Sequence, residues 1–450
     1  MFKPRRKPPA NRRVATGGST PGAAVLCAAA IAAAFASTTW AGDPPRFTAE
    51  LITPGLSAIN AAAMNESADV VGTIDDPTIR GWVSLGGRPA TLLPLPPGAA
   101  SSWAMDINDQ GVIAGAVSPT MSPEYRGRAA TWTPDGAGGY TIEEFGTLPG
   151  DVQSIATALN NVGDIVGWSN DGMYSVPVLF TPDGVESLAE TRIFDPVDVN
   201  DQRQVIDHSH TVKRLDLDTM IVEDLGKPPH PGGGQIGYLG TRGEAINESG
   251  QVAGSAILST STPCDQEAAC FTDGIGWEIL SICGSNNSAW DINDLGDVVM
   301  RLNVAPYVRF EGLGTFRIED LIEEDEGHWF VINGFGLTIN NARQMAVPAS
   351  NDQTGEGGII LLTRIVGGDL NGDGKIDAAD FVAWRKNDGT QNGHDTWRAN
   401  FGRTVGDGSA SNATVPEPAS TILFVLGVAA VRWRRRLASR VPKLIGRDIR

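Results

Sequence analysis

The residues with the most definite chemistry lie near the C-terminal end, where positions 369–380 read DLNGDGKIDAAD. Asp369, Asn371, Asp373, the carbonyl of Lys375, Asp377 and Asp380 supply oxygens at positions one, three, five, seven, nine and twelve of a loop, and Gly374 at position six permits its sharp turn. Hard oxygen donors at that spacing predict one bound calcium ion, with Asp377 acting through water. Phe381, Val382 and Trp384 follow at helical spacing, which a plain polar linker would not show. Cys264, Cys270 and Cys283 fall within one stretch; in an exported chain Cys264 and Cys270 are expected to pair across a loop, and the lack of a nearby histidine argues against zinc. His208 and His210 would share one face of a strand, as two metal ligands need, or else belong to a worn turn. No Ser/His/Asp, Cys/His or phosphate-loop constellation stands out, and five histidines in 450 residues leave carboxylates as the main acid–base groups.

The elements that must hold these residues are set by a repeat. Residues 106–115 (DINDQGVIAG) recur as 63–72 (AMNESADVVG), 158–167 (ALNNVGDIVG), 198–207 (DVNDQRQVID), 245–254 (AINESGQVAG), 291–300 (DINDLGDVVM) and 338–347 (TINNARQMAV). The third-position Asn never varies, while the sixth-position Gly is replaced by Ala68, Arg203 and Arg343. An apolar residue, Asn, two polar residues, Gly and then alternating apolar positions read as strand, tight turn, strand. A second pair of strand-like runs follows each phrase, so one repeat is a four-stranded antiparallel unit of about 46 residues, the mark of a β-propeller blade.

The seventh unit is one strand short, having only residues 358–366 after its phrase. An orphan strand at 46–53 precedes the first phrase. Letting that strand complete the last unit hides both edges, so the expected fold is all-β: a closed seven-bladed β-propeller over 46–366, followed by a small helical module over 367–404.

The phrase resembles the bacterial extracellular repeat called HAF, in which A-I-N-x-x-G-x-V-x-G precedes an aromatic strand such as Ala129-Ala130-Thr131-Trp132. The loop at 369–380, with Asp at position twelve and a helix after it, resembles the EF-hand-like calcium repeat of type I dockerins. That likeness implies a cohesin-like protein partner. The second loop departs from the dockerin pattern, because it keeps Asp388 and Gly393 but has Ala399 where the last acid belongs. After a linker at 405–415, Pro416, Glu417 and Pro418, an apolar run and Arg432-Trp433-Arg434-Arg435-Arg436 resemble a PEP-CTERM sorting signal, ahead of a basic tail at 437–450. This implies a transient membrane segment and an exosortase-type processing enzyme as partner. The apolar run is shorter than the ~20 residues a spanning helix needs.

Residues 1–41 read as a signal peptide, with six basic residues, an apolar stretch and Thr39-Trp40-Ala41 at the cleavage site. Without residues 1–41 and the tail from 417, 21 bases face 51 acids, a net charge of −30. Such a balance repels nucleic acid and suits an exported protein. The expectation is therefore a non-enzymatic, surface-displayed or matrix-associated binding or structural protein, and the alternative is a carbohydrate-active enzyme that degrades polysaccharide. Long irregular segments fall on the face opposite the Asn turns, which makes that face the expected polysaccharide-binding side, with Trp103, Tyr125, Trp168, Tyr174 and Tyr238 as contacts.

Overall fold

The computed structural model describes residues 44–402 apart from 57–58, 76–77, 121–126, 229–237, 259–265, 282–285, 324–328, 332–335, 366, 370–374 and 388. The chain divides into two compact units at Thr363/Arg364. The first is a seven-bladed β-propeller. Blades one to six are four-stranded antiparallel sheets whose strands pair in chain order. Their innermost, or lead, strands are Ile59–Met64, Ser101–Ile107, Gln153–Leu159, Pro196–Val199, Gly240–Ile246 and Ser288–Ile292. Blade seven is built from Trp329–Val331 and Thr338–Ile339, both paired with Met345–Asn351, then Gly357–Arg364, and its outermost strand is Phe47–Leu51 from the other end of the propeller.

That seam is the one anticipated. Ile52 donates its N–H to the Ile359 carbonyl at 3.0 Å, Thr53 Oγ1 accepts from Ile359 N–H at 2.8 Å, and Thr48 Oγ1 donates to the Thr363 carbonyl at 3.3 Å. Phe47, Ile52 and Thr53 are fully buried.

The hydrophobic core is a series of layers between neighbouring sheets. One layer joins blades one and two through Val71, Val83, Leu93, Ile107, Ile113 and Trp132, and another joins six and seven through Val299, Phe310, Leu337, Met345 and Phe47. Apolar residues on both faces of each strand fit this stacking of sheet on sheet.

Each phrase forms the hairpin expected of it. Asn108 is typical: its Oδ1 accepts from Gln110 N–H at 3.1 Å and Val112 N–H at 3.0 Å, and Gly111 closes the turn with φ +74°. Ala68, Arg203 and Arg343 keep the same left-handed conformation at φ +58°, +60° and +60°, so the turn type persists where the glycine does not.

The tenth-position glycine has a separate cause. A Cβ on Gly72, Gly115, Gly167 or Gly254 would come within 2.0 Å of a lead-strand carbonyl. It lies across from a β-bulge in the lead strand, as between Ala104 and Asp106. The three phrases that lack this glycine have the shortest lead strands, of four, five and two residues.

The second unit contains helices α1 (Ala378–Asn387) and α2 (Gln391–Asn400). Phe381 lies 5.0 Å from Trp397 and 5.2 Å from Trp384, and Trp397 lies 5.2 Å from Phe401, which is the aromatic packing expected of a helix pair. Among the described residues no helix is long and apolar enough to cross a membrane, and the C-terminal apolar run lies outside them.

Candidate functional site: the channel mouth at the turn face

The invariant Asn does more than close its own hairpin. Its Nδ2 donates to the main-chain carbonyl of the corresponding Asn in the next blade, from Asn65 to Asn108, Asn108 to Asn160, Asn160 to Asn200, Asn200 to Asn247, Asn247 to Asn293 and Asn293 to Asn340, at 2.9–3.1 Å. Asn340 returns to Asn65 at 3.3 Å and completes the circle. All seven side chains are buried, so each amide is satisfied on both sides, by its own turn and by its neighbour.

The residue after each Asn forms a second circle outside the first. The side chain of Asp109 accepts from Glu66 N–H, Asn161 from Asp109, Asp201 from Asn161, Glu248 from Asp201, Asp294 from Glu248, Asn341 from Asp294 and Glu66 from Asn341, at 2.6–3.1 Å. Every member is an acid or its amide because only a side-chain oxygen of that length reaches the next N–H. Five carboxylates therefore ring the mouth of the central channel, a cavity of about 600 Å³ with no Lys, Arg or His among the described residues of its lining.

A third tier lies deeper, at the first position of the phrase. Asp106, Asp198 and Asp291 each accept the N–H of the residue that follows and reach across to Leu159, Ile246 and Ile339 N–H of the next blade, all at 2.7–2.9 Å. They occupy blades two, four and six, alternating with Ala63, Ala158 and Ala245. Seven is odd, so the alternation fails at the seam, where Thr338 stands; its Oγ1 is buried with no hydrogen-bond partner.

Loss of water raises the pKa values of these groups. Desolvation takes Asp106 to about 6 and Asp291 to about 7, and lifts Asp198 well above the ordinary carboxylate range, with the charge of Asp106 adding to the effect. Glu66 at the mouth and Glu244 below it are each pushed to about 7, again by desolvation first. A carboxyl whose folded value lies above its unfolded value stabilises the fold while protonated, and that share is lost as pH rises through the folded value. The melting temperature at low salt should therefore fall between pH 5 and pH 8, by an amount equivalent to roughly 1–3 kcal/mol after solvent screening. A flat or rising profile would show that the channel carboxyls are better solvated than the geometry implies.

The aromatic contacts expected on the opposite face are not assembled there. Trp103 is buried between blades with Ile79, Ala116 and Ile155, and Trp168 is half-buried against the same cluster. Tyr238 is buried, its hydroxyl donating to Glu267 Oε2 at 2.6 Å. Tyr174 alone of the four described is exposed, and Tyr125 lies outside the described residues. These side chains sit where strands stack, so the layers between sheets take them up.

The strand ends at Asp207 and both histidines fall in the loop after it, which agrees with the reading of a worn turn and does not set them on one face of a strand. His208 Nδ1 lies 3.7 Å from Glu244 Oε2. Cys270 is a free thiol, buried in its strand and pushed to about 12 by desolvation; Cys264 and Cys283 lie outside the described residues.

Of the calcium loop, Asn371 and Asp373 lie outside the described residues. Asp377 and Asp380 form a reciprocal cap at the start of α1: Asp377 Oδ1 accepts from Ala379 N–H at 2.6 Å, and the buried Asp380 accepts from Asp377 N–H at 2.7 Å. Among the described residues no three His, Cys, Asp or Glu side chains converge as a metal site.

Residues 414–436 match the PEP-CTERM protein-sorting motif, whose tripeptide Pro416-Glu417-Pro418 also lies outside the described residues. No curated protein matches the chain. Among solved structures, an oligogalacturonate lyase in complex with manganese is 10% identical, with 71% of this chain and 97% of that one covered and a TM-score of 0.46. An oligogalacturonate lyase from Vibrio parahaemolyticus is 11% identical, with 72% and 98% covered and a TM-score of 0.45. A streptogramin B lyase is 12% identical, with 71% and 98% covered and a TM-score of 0.41. Figures of this size carry no argument about activity. The sorting motif marks the chain as an exported propeller protein bearing a recognition signal for exosortase processing at its C-terminus.

Proposed function

We propose that this exported propeller is a non-catalytic binding protein of the cell surface or extracellular matrix, and that its ligand docks at the turn-face mouth of the channel. The observation that carries this reading is the outer circle, in which seven side chains, each held by a neighbour's N–H, present five carboxylates around one opening. Carboxylates fixed in this way form a rigid recognition surface at little entropic cost. A glycan array that includes amino sugars is the direct test: binding should appear, should be lost in Glu66→Gln/Asp109→Asn/Glu248→Gln, and should occur without release of reducing sugar. Binding unaffected by the triple variant overturns the assignment of the face.

The carbohydrate-active alternative draws on the burial of Asp291 and Glu66 in the channel, where desolvation pushes both up to about 7, the range a general acid needs. Reducing-sugar release that disappears in Asp291→Asn would establish it.

The reading extends to the second unit as a dockerin-like module holding a single calcium, and to the blades as HAF-type repeats. Asp369, Asn371, Asp373, the Lys375 carbonyl and Asp380 would hold the ion, with Asp377 through water. Calorimetry on the full chain should show one calcium site, abolished by Asp373→Ala. Two tight sites or none would contradict the module as read.

A further inference from the structure

The residue just before each repeated phrase forms the waist of the channel, one step deeper than Asp106, Asp198 and Asp291. In six of the seven blades it borders the cavity and is not buried: Ala62, Met105, Thr157, Val197, Glu244 and Trp290. In the seventh, Leu337 is buried. Four of the six are small or apolar, and blades five and six depart from this side by side, with a carboxylate and an indole. Trp290 packs part of its side chain on the layer between blades six and seven and leaves the rest to the cavity. Apolar ring surface left open in a concave site gains free energy when a ligand covers it. Glu244 is the one ionisable side chain at this level. Its carboxylate accepts from the Ser288 side chain and lies 3.7 Å from His208 Nδ1, which is outside the lining, so contacts away from the lumen fix its position.

An aromatic platform beside one anchored acceptor, in a cavity of about 600 Å³, suits a ring with an apolar face and a rim of hydroxyls. The geometry points to a saccharide subsite at the waist, where the terminal hexopyranose of a neutral glycan lays its apolar face on Trp290 and donates a hydroxyl to Glu244. Blades enclose the waist on all sides, so a glycan reaches it by an end and not by a unit in mid-chain. The terminal sugar must be uncharged. A uronate or sialic acid would set its own carboxylate against Glu244, Asp198 and Asp291, and the described lining holds no Lys, Arg or His to offset it.

This subsite rests on the turn-face mouth being the binding face, and the test separates the two. Cellohexaose, mannohexaose, maltohexaose and N-acetylchitohexaose are titrated calorimetrically into the full chain at pH 7.5, with hexagalacturonate as the charged control. At least one neutral hexamer should bind with one site per chain, and hexagalacturonate should not. Trp290→Leu and Glu244→Ala should each weaken that binding roughly tenfold, while Trp290→Phe, which keeps a ring, should stay within about threefold of the parent. Trp290 also packs on a core layer, so a further variant leaves the core alone. Ala62→Trp adds bulk at an exposed position of the waist and should abolish binding while the parent's cooperative melt is retained. No binding by any neutral hexamer, equal binding of hexagalacturonate, or affinity unchanged in both Trp290→Leu and Ala62→Trp overturns the subsite. If binding persists in those two variants but is lost in Glu66→Gln/Asp109→Asn/Glu248→Gln, the mouth remains the binding face and only the waist subsite falls. If it persists in all three, the face falls as well.

Discussion

A chain lacking residues 45–54 should not form a stable propeller: it should aggregate, or melt so far below the parent that no folded baseline remains at 37 °C, although every repeat is intact. The deletion removes Phe47, which is fully buried and stacks on Phe310 with ring centroids 6.1 Å apart, together with fully buried Ile52 and Thr53. It also strips hydrogen bonds from two blades, since Ala90 N–H donates to the Ile52 carbonyl at 2.6 Å and Glu323 N–H to the Phe47 carbonyl at 3.0 Å. Phe47→Ala alone should cost about 3–5 kcal/mol, a large part of the roughly 5–15 kcal/mol that holds a domain together. The bonds from Thr48 to Thr363 and from Ile52 to Ile359 set the strands antiparallel with Glu50 opposite Leu361. A Glu50→Cys/Leu361→Cys pair should therefore crosslink within one chain under mild oxidant. Parent-like melting of the deletion together with failure to crosslink would mean the ring is not closed at this blade.

The second large effect is expected at Arg343, where the repeat has given up a glycine. Arg343 pays for a left-handed backbone, at φ +60°, with an ion pair to the preceding blade. Its Nε donates to Asp297 Oδ2 at 2.7 Å and an Nη to Oδ1 at 3.0 Å, its guanidinium sits 5.2 Å over the Phe310 ring, and Asp297 is fully buried. Glycine should relieve about 1 kcal/mol of strain. Leaving a buried carboxylate without its cation should cost about 3–5 kcal/mol. Arg343→Gly is thus expected to destabilise the fold by a net ~2–4 kcal/mol, even though it restores the commonest residue of the phrase. Adding Asp297→Asn should recover at least half of the loss in denaturant unfolding. A single variant as stable as the parent would show the pair to be idle. Arg203 makes the comparable bond to Asp164 at 2.9 Å, but its side chain is one-third exposed and solvent weakens the pair.

The blade count, the strand order within each blade and the closing strand were all legible in the sequence, because they follow from a repeat period, alternating apolar positions and one strand too few at one end and too many at the other. The inter-blade circles were not. The Oδ1 of Asn108 already has a sufficient local role in its hairpin, and nothing within one repeat shows that Nδ2 is directed at the next. The signal was nonetheless present. The sixth-position glycine can be replaced because positive φ costs a residue such as Arg343 only about a kilocalorie, whereas no other side chain offers both the acceptor for the turn and a donor of that length. The fourth position is likewise always Asp, Glu or Asn. The aromatic contact set failed for a different reason: exposure was read from loop membership, while Trp103 lies inside the strand Ser101–Ile107 and Tyr238 just before Gly240–Ile246, where the neighbouring blade covers both. The capping role of Asp377 and Asp380 went unread because the same spacing that defines a calcium loop also defines a helix start.

The shared last blade also sets an order of events during export. Thr48 bonds Thr363, 315 positions away, so the strand that leaves the ribosome among the first must wait for one that leaves near the end. At roughly 5–20 residues per second that delay is about 15–60 s, during which Phe47–Leu51 has no partner and blades one to six lack a closed circle of asparagines. A cell exporting this chain must keep an unpaired apolar edge from neighbouring copies for that interval, and the longer the translocation pauses, the greater the yield lost to chains that pair with one another before they can pair with themselves.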